Sequence, residues 1–427
     1  MTAIISIVKN ELYSKTNIVT ICIVDAVASQ SLFEMYSIME RYYKIIPIVL
    51  KSLGLWPYQQ SYFTQVHQIL YASILLSFIL VQLLVFIKRQ CNTELFFMVL
   101  SFVCPNIFAT IKYFTFITKA NSLKQLLEQI QNDCNLLKDK LEINILEKYN
   151  RNARLVILSL LGFCYTILFI FSTLQYLPFI LHKMLPFNKS RSLQLVTSTE
   201  YLIIPDKYIY VRMLHEFLAF YVGLITICAT GLTALIYCVH MCVLLEIASY
   251  RIKNVIQMNT LVIPSPKREQ VVHQRIVNAI IIHQRAIEYH KLFMFVFLIP
   301  FGILCTVWMG SIILALFLFS QQVTSNNMGM AFVAFGLLQV LLIYSMVGSY
   351  CGQRIIDNGI NFFEDTYNGL WYAAPLSTQK LLLFVMQRGR AYFSITFHGV
   401  IAASFDGLIT LLKLAVSYFM VLNSVQK

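Results

Sequence analysis

Residues 375–390 read PLSTQKLLLFVMQRGR, and residues 391–424 continue as AYFSITFHGVIAASFDGLITLLKLAVSYFMVLNS. The first stretch predicts a short amphipathic helix that carries charge. The second is long enough to cross a bilayer, yet it contains four polar side chains: Asp406, Thr410, Lys413 and Ser417. A helix that contacted only lipid would not tolerate these groups.

The polar positions of the second stretch share one face. On a helical wheel at about 100° per residue they fall, together with small residues, in an arc roughly 80° wide. The arc holds Gly399, Ala403, Asp406, Thr410, Lys413, Ser417, Val421 and Ser424. Ionisable residues inside a membrane usually face a bundle interior or a water-filled cavity, so this arc is a candidate pore lining. The alternative is a helix buried among its neighbours.

The composition of the whole chain indicates a polytopic membrane protein. Of its 427 residues, 58% are hydrophobic and only 12% are charged, and the mean hydropathy is +0.69. A soluble globular protein is far less apolar. The formal charge of +13 would suggest nucleic acid as a partner of a soluble chain. Here the basic residues fall in loops between apolar segments, where they act as topology signals, and no nucleic-acid partner is expected.

No motif of catalysis, cofactor binding or metal binding is present. His215-Glu216 begins like a zinc-protease helix, but position 219 is Ala, so the HExxH pattern fails. The sequence has no P-loop, no GxGxxG after a strand and no GxSxG. Its ten Cys are scattered, mostly within apolar segments, and no CxxC pair occurs. We therefore expect no enzyme activity, no cofactor and no metal site.

The first 38 residues admit two interpretations. An apolar run from Ile18 to Ala28 follows Lys9 and Lys15, as in a signal peptide, although Asp25 interrupts it. The other interpretation is that translation begins at Met39 and that residues 1–38 are a gene-model extension. Residues 39–424 would then form one seven-helix domain.

Seven segments satisfy the length that a membrane-spanning helix requires, about 17 to 25 apolar residues or more. They are residues 64–87, 93–117, 154–182, 213–245, 291–320, 327–350 and 392–424. The predicted fold class is therefore an all-α polytopic membrane protein with seven transmembrane helices. An odd number of spans puts the two termini on opposite sides.

The basic residues orient these spans. The loops on the side of the N-terminus carry 23 of the 33 Lys and Arg residues, and those on the other side carry 8. The positive-inside rule thus predicts a cytoplasmic N-terminus and an extracellular C-terminus. The single N-x-S/T sequon, at Asn188, falls in a loop on the predicted outer side and is a candidate glycosylation site.

Three segments on the predicted cytoplasmic side have helical periodicity: residues 122–150, 271–290 and 376–390. In the first, leucine and isoleucine residues recur at steps of three and four among charged residues. We expect the spans to continue beyond the membrane into a packed helical anchor layer. The alternative is a set of surface helices lying in the lipid headgroups.

Three short motifs carry a resemblance to a known family: GLWPYQ at 54–59, LLLFVMQR at 381–388, and ASFDGL with SYFMVL at 403–408 and 417–422. Together they resemble the insect odorant receptor family. The resemblance implies tetrameric, odorant-gated, non-selective cation channels with a cytoplasmic anchor, a pore lined by the seventh helix and an obligate co-receptor subunit. Residues 246–290 are too short to hold the long insertion of the co-receptor, which favours a ligand-tuning subunit.

The resemblance also assigns roles near the pore. It implies that Val421 matches the hydrophobic gate and that Ser424 lies just beyond it at the extracellular mouth. Lys413 departs from this picture, because a fixed positive charge would repel a permeating cation. It could pair with Asp406, two turns away, or with a neighbouring subunit.

By the same resemblance, the ligand pocket lies in the extracellular half among spans two, three, four and six. A pocket for small, volatile odorants is expected to be apolar with few polar groups. No motif marks it. Aromatic and polar residues at the right depth are the candidates: Phe97, Phe171, Tyr176, Phe217, Tyr221, Phe335 and Gln339.

The sequence thus predicts an odorant receptor in the plasma membrane of olfactory neurons that forms a heterotetramer with the co-receptor. One alternative is a gustatory-type chemoreceptor channel, whose TYhhhhhQF-type seventh span (h, hydrophobic) is not matched. A second is a secondary transporter, which would usually show repeated spans with broken helices at matched positions. The seven spans here show no such repeat.

Overall fold

The computed structural model describes residue 39 and residues 41–59, 61–88, 93–184, 209–256, 263–389, 393–397, 399 and 401–425. The segment 1–38 and Asn188 lie outside the described residues. The described chain is almost entirely helical, as predicted, with one small β-hairpin near its end.

The helices in chain order are α1 (Ile45–Ser52), α2 (Tyr62–Leu83), α3 (Val85–Lys88), α4 (Thr93–Thr118), α5 (Ala120–Leu136), α6 (Lys140–Met184), α7 (Ile209–Lys253), α8 (Ser265–Thr324), α9 (Met328–Asn368), α10 (Leu376–Gly389) and α11 (Phe405–Val425). A 3₁₀ turn (Trp371–Ala373) precedes α10, and the strands β1 (Thr396–Phe397) and β2 (Ile401–Ala402) precede α11. Within the described residues, seven helical segments are long and apolar enough to cross a membrane: α2 with α3, α4, α6, α7, α8, α9 and α11.

Helix α7 is the centre of the bundle. Its most apolar stretch is 78% buried, whereas the corresponding stretches of the other six segments are 11–39% buried. A helix that is apolar all round is covered by neighbours on every side, and α7 packs against α2, α4, α6, α8 and α9. Tyr237 on α7 is fully buried and donates a hydrogen bond to the Leu123 carbonyl oxygen of α5, at 3.2 Å.

The predicted helical layer is present at one end of the bundle. Helices α6, α7, α8 and α9 run well past the spans predicted for them and pack there with α5 and α10. Of the leucines that indicated the layer, Leu123, Leu126 and Leu127 are buried, whereas Leu141 is 54% exposed. We call this end the anchor layer.

Charged contacts join the helices of the anchor layer. The Asp133 carboxylate of α5 lies 3.1 Å from Nε2 of His240 on α7 and 3.3 Å from a guanidinium nitrogen of Arg285 on α8. Next to it, burial and then the Asp133 charge raise the pKa of the Cys134 thiol to about 12, so this thiol stays protonated at neutral pH. Cys134 is therefore a small packing residue.

The last span differs from its prediction of residues 392–424. Helix α11 begins only at Phe405, because the chain first forms an antiparallel hairpin in which Thr396 pairs with Ala402 and Phe397 with Ile401. Gly399 lies in the turn with φ +70°, a backbone conformation that glycine adopts without strain. Gly399 and Ala403 therefore do not belong to the polar helix face on which the sequence predicted them.

The hairpin is seated against glycines of two long helices. A Cβ atom at Gly352 of α9 would collide with the Ala403 carbonyl oxygen, and one at Gly302 of α8 would lie 2.5 Å from the Phe397 ring. The amide of Ala403 in turn donates to the Ile395 carbonyl oxygen at 2.9 Å. The start of α11 is thus held directly against α8 and α9.

We expect Gly352→Ala to destabilise the protein, because the added methyl group pushes the backbone at Ala403 away from α9. Overpacking of this kind costs on the order of 1–3 kcal/mol. The melting temperature of the purified protein in detergent measures the effect.

Gly310→Ala on α8 is the matched control, since no other heavy atom lies within 4 Å of its added Cβ. Its melting temperature should stay the same or rise, because alanine favours a helix by up to about 1 kcal/mol over glycine. Equal melting temperatures for the two variants would show that the hairpin is not tightly seated.

Candidate functional site

A cavity of about 220 Å³ lies between five of the membrane-length helices, α2, α4, α6, α7 and α9. We call it the five-helix cavity. Its walls are mostly apolar and aromatic: Phe78, Phe102, Phe108, Ile167, Ile170, Phe171, Phe220, Phe332, Leu337 and Leu341 are among them. Four of its five helices are the predicted spans two, three, four and six, and span one completes it.

The walls of the five-helix cavity include an aromatic pair. Phe171 of α6 and Phe220 of α7 stack with ring centroids 3.9 Å apart and an angle of 18° between the rings. Both side chains are only partly buried, because they face the cavity. Stacked rings of this kind offer a flat, rigid surface to an apolar ligand.

A few polar side chains interrupt these apolar walls: Gln82, Asn106, Glu216 and Tyr344. The Asn106 side-chain amide donates to the Phe102 carbonyl oxygen at 2.7 Å and to Gln82 Oε1 at 3.4 Å. Gln82 and Glu216 are almost fully buried. An apolar cavity with a few placed polar groups is the usual form of a small-molecule site.

Among the pocket residues predicted from the sequence, Phe171 lines the five-helix cavity. Phe97 packs against Phe317 of α8 instead, with ring centroids 4.4 Å apart. Phe335 is 46% exposed and lies beside Phe319, and Gln339 is partly buried outside the cavity wall.

The three remaining candidates form an aromatic group near the start of α7. Tyr176 donates a hydrogen bond to the Met213 carbonyl oxygen at 3.0 Å. Its ring lies 6.0 Å from that of Phe217, which lies 6.2 Å from that of Tyr221. These residues flank the cavity walls without belonging to them.

The polar residues of the cavity wall are not among the pocket residues predicted from the sequence, although the sequence contains a pattern that indicates them. Gln82, Asn106 and Glu216 are polar positions within segments that are otherwise apolar enough to cross a membrane. Polar groups in such segments are expensive and usually face the interior of the bundle. This criterion would have identified them before any aromatic residue.

The polar face of α11 is exposed along its length. Asp406, Thr410, Lys413, Ser417, Val421 and Ser424 all lie on the accessible side of the helix, and Val421 is 57% exposed. Leu408 and Ala415 are buried on the opposite side, against the rest of the chain. The sequence predicted these six residues on one face, and the single chain leaves that face uncovered.

Hydrogen bonds within α11 satisfy the hydroxyl groups of this face. Thr410 donates to the Asp406 carbonyl oxygen at 2.8 Å, Ser417 to that of Lys413 at 2.9 Å, and Ser424 to that of Val421 at 2.8 Å. The ion pairs among the described residues do not include Lys413 with Asp406. Of the two alternatives for Lys413, the pairing with Asp406 is therefore not formed in the single chain.

The described residues hold no cluster of three or more His, Cys, Asp or Glu side chains that could bind a metal ion. The five-helix cavity and the exposed face of α11 are two features of the described residues with functional character.

Comparisons with known proteins identify the fold. A family model described as "7tm Odorant receptor" matches residues 92–416. The solved structure of the insect olfactory receptor OR5 from Machilis hrabei in complex with eugenol is similar, with a TM-score of 0.73 over 91% of this chain and 99% of that chain, at 14% identity. A second structure of the same receptor gives a TM-score of 0.71 with equal coverage and identity. No sequence of a curated protein matches this chain.

The family match covers most of the chain and agrees with the seven membrane-length helices. It confirms the predicted fold class and a multi-pass membrane protein. It also confirms that the chain is a receptor and not an enzyme. The chain belongs to the 7tm odorant receptor family.

Proposed function

We propose that this receptor is an odorant-gated, non-selective cation channel subunit that acts with an obligate co-receptor in the plasma membrane of olfactory neurons. The observation that carries the proposal is the uncovered polar face of α11. A lipid-facing surface with Asp406 and Lys413 would be costly. Water in a pore, or the polar face of a neighbouring subunit, would remove that cost.

The order of residues along this face suits a cation pathway. Asp406 begins the face near the hairpin, hydroxyl groups follow at Thr410 and Ser417, and Val421 comes close to the end. Carboxylates attract cations, and a ring of apolar side chains gates by excluding water. Val421 is thus the proposed gate and Ser424 the proposed extracellular mouth. Lys413 would then contact a neighbouring subunit.

The five-helix cavity is the proposed odorant site. The receptor from Machilis hrabei has been solved with eugenol, a small aromatic molecule. A cavity of about 220 Å³ with aromatic walls has the chemistry for ligands of that class in this chain. Phe171 is the proposed contact residue, because it is the one sequence-predicted candidate that lines the cavity.

Helix α9 provides a mechanical connection between the cavity and the pore helix. It contributes Phe332 and Tyr344 to the cavity wall, and its Gly352 lies against the hairpin that leads into α11. A ligand that shifts α9 would therefore shift the start of α11 as well. Packed helices transmit such shifts because interiors are dense and hard to compress.

Two further features support the proposed assembly. Only residues 254–264 connect α7 and α8, so the long insertion implied for the co-receptor is absent and a ligand-tuning subunit is favoured. The charge bias of the loops supports a cytoplasmic anchor layer and N-terminus, with an extracellular C-terminus. By this orientation Asn188 is an extracellular glycosylation site.

An epitope tag after Lys427 should be stained on intact cells, because the proposed orientation puts the C-terminus outside. An N-terminal tag should be stained only after permeabilisation. Immunofluorescence on the two tagged proteins measures this. The reverse pattern would overturn the orientation, and with it the assignment of Ser424 to the outer mouth.

Co-expression with the co-receptor in cells that lack other receptors should give odorant-evoked currents. Phe171→Ala should raise the half-maximal concentration of an activating odorant about tenfold, since the loss of an aromatic contact with its buried area amounts to about 1.4 kcal/mol. Whole-cell recording under an odorant panel measures both quantities.

Phe169→Ala is the control, since Phe169 is on the same helix and 73% exposed. Its concentration dependence should match that of the unmodified receptor. No current from the unmodified receptor, with surface expression confirmed, would contradict the channel proposal. Equal changes of the half-maximal concentration in the two variants would contradict the proposed odorant site but leave the channel proposal intact.

Substitutions on the polar face should change conduction. Val421→Ala should increase current without odorant, because the apolar constriction is widened, and Asp406→Ala should lower the permeability ratio of calcium to sodium. Val416→Ala is the matched control, since Val416 is exposed on α11 but lies outside the polar face. If Val421→Ala and Asp406→Ala both behave like this control, the face is a packing surface and not a pore lining.

A further inference from the structure

A second cavity of about 270 Å³ shares a wall with the five-helix cavity. Phe108 and Tyr344 line both, and their rings meet edge to face with centroids 5.4 Å apart. From this wall the second cavity extends to Ile395 and Ala402 of the hairpin and to Leu408 of α11. It therefore lies next to the segment that leads into α11.

The second cavity contains a buried cation, and we call it the lysine cavity. Lys112 on α4 is 9% exposed and is one of the lining residues. Its ammonium nitrogen lies 5.1 Å from the Tyr344 ring centroid and 5.7 Å from that of Phe108. Two aromatic faces stabilise a cation only in part.

Among the described residues, no acidic side chain is paired with Lys112. The described residues that line the lysine cavity include no Asp or Glu, and the ion pairs of the described chain do not include Lys112. The Ser345 hydroxyl in the wall donates to the Leu342 carbonyl oxygen of its own helix. A buried charge without a partner is costly, so an anion in the cavity would be strongly favoured.

We propose that the lysine cavity is a second ligand site, which binds an amphipathic carboxylate such as a medium-chain fatty acid. The carboxylate contacts the Lys112 ammonium, and the hydrocarbon chain lies along the apolar wall. The volume of about 270 Å³ is slightly below the usual range of small-molecule sites, roughly 300–1,000 Å³, and so suits a small ligand.

The walls and the charge together select this ligand class. Leu160, Leu232, Phe297, Leu304 and other apolar side chains would remain uncovered around a small inorganic anion. A neutral odorant would fill the space but leave Lys112 without a counter-charge. Only a molecule with both an anionic end and an apolar chain satisfies both parts of the cavity.

The proposal is tested by binding, independently of channel activity. The full-length receptor is purified into lipid nanodiscs, and octanoate is titrated while the melting temperature is followed. Methyl octanoate, which has the same chain without the charge, and acetate, which has the charge without the chain, are the comparison compounds. Octanoate should raise the melting temperature at concentrations where the other two do not.

Three variants locate the site. Lys112→Met should weaken octanoate binding about tenfold or more, because the charge-assisted contact is lost, whereas Lys112→Arg should retain binding. Gly348→Leu should also weaken it while Lys112 stays in place, since Gly348 lines the cavity with no other heavy atom within 4 Å of an added Cβ. The melting temperature of each variant without ligand reports whether it is folded.

The proposal is overturned if octanoate does not stabilise the unmodified receptor, if methyl octanoate stabilises it equally, or if Lys112→Met and Gly348→Leu, both folded, bind octanoate unchanged. Native mass spectrometry of receptor purified without added acid distinguishes two sources of the ligand. A co-purified fatty acid identifies the membrane as the source, and an empty receptor that binds added octanoate identifies an external one.

Discussion

The close approach of the hairpin to α9 is the contact on which the position of α11 depends. At Gly352 there is no room for even a methyl group between α9 and the backbone of Ala403. The hairpin has only four paired residues, so it cannot hold its own position and takes it from the helices on which it rests. Because α11 follows directly, its direction and its exposed face are set by the same contact.

The central position of α7 determines where the cavities form. Helix α7 packs against five other membrane-length helices, so spaces between those neighbours are lined by several elements at once. Both cavities have part of their wall on α7, near Leu224 and Ile227. The anchor layer holds the other ends of the same helices together through Asp133, His240 and Arg285. Helices that are joined at one end and enclose cavities along their length suit a binding site within a bundle.

Much of this fold could be predicted from the sequence. The lengths of the apolar segments predict the seven spans. The three- and four-residue periodicity of leucine and isoleucine predicts the buried leucines of the anchor layer. A helical wheel predicts the six residues that share a face on α11. The hairpin was missed because residues 392–404 were assigned to the span as a whole, although apolar and polar side chains alternate over residues 393–398 (FSITFH), as they do in a strand, and a glycine follows at 399. The two-stranded hairpin is stabilised by its packing against α8 and α9. Such contacts join residues far apart in the sequence, so local composition does not predict them.

The candidate site was less predictable, because its residues come from helices far apart in the sequence. Depth in the membrane selected Phe97 and Phe335 as readily as Phe171, since depth does not say which way a side chain points. Gln82, Asn106 and Glu216 were better markers, because polar groups in apolar spans turn inward. Lys112 belongs to the same class of residue, and its significance depends on the two rings that α4 and α9 bring to it.

The wall formed by Phe108 and Tyr344 has a thermodynamic consequence. A ligand in one of the two proposed sites would change the space and the electrostatic surroundings of the other through these shared rings, so the proposed sites would be linked. Linkage is reciprocal: the factor by which one occupant changes the affinity for the second equals the factor by which the second changes the affinity for the first. With the two cavities as the proposed ligand sites, the sensitivity to an odorant would depend on the occupancy of both, and substitutions at Phe108 or Tyr344 would change the coupling free energy between them.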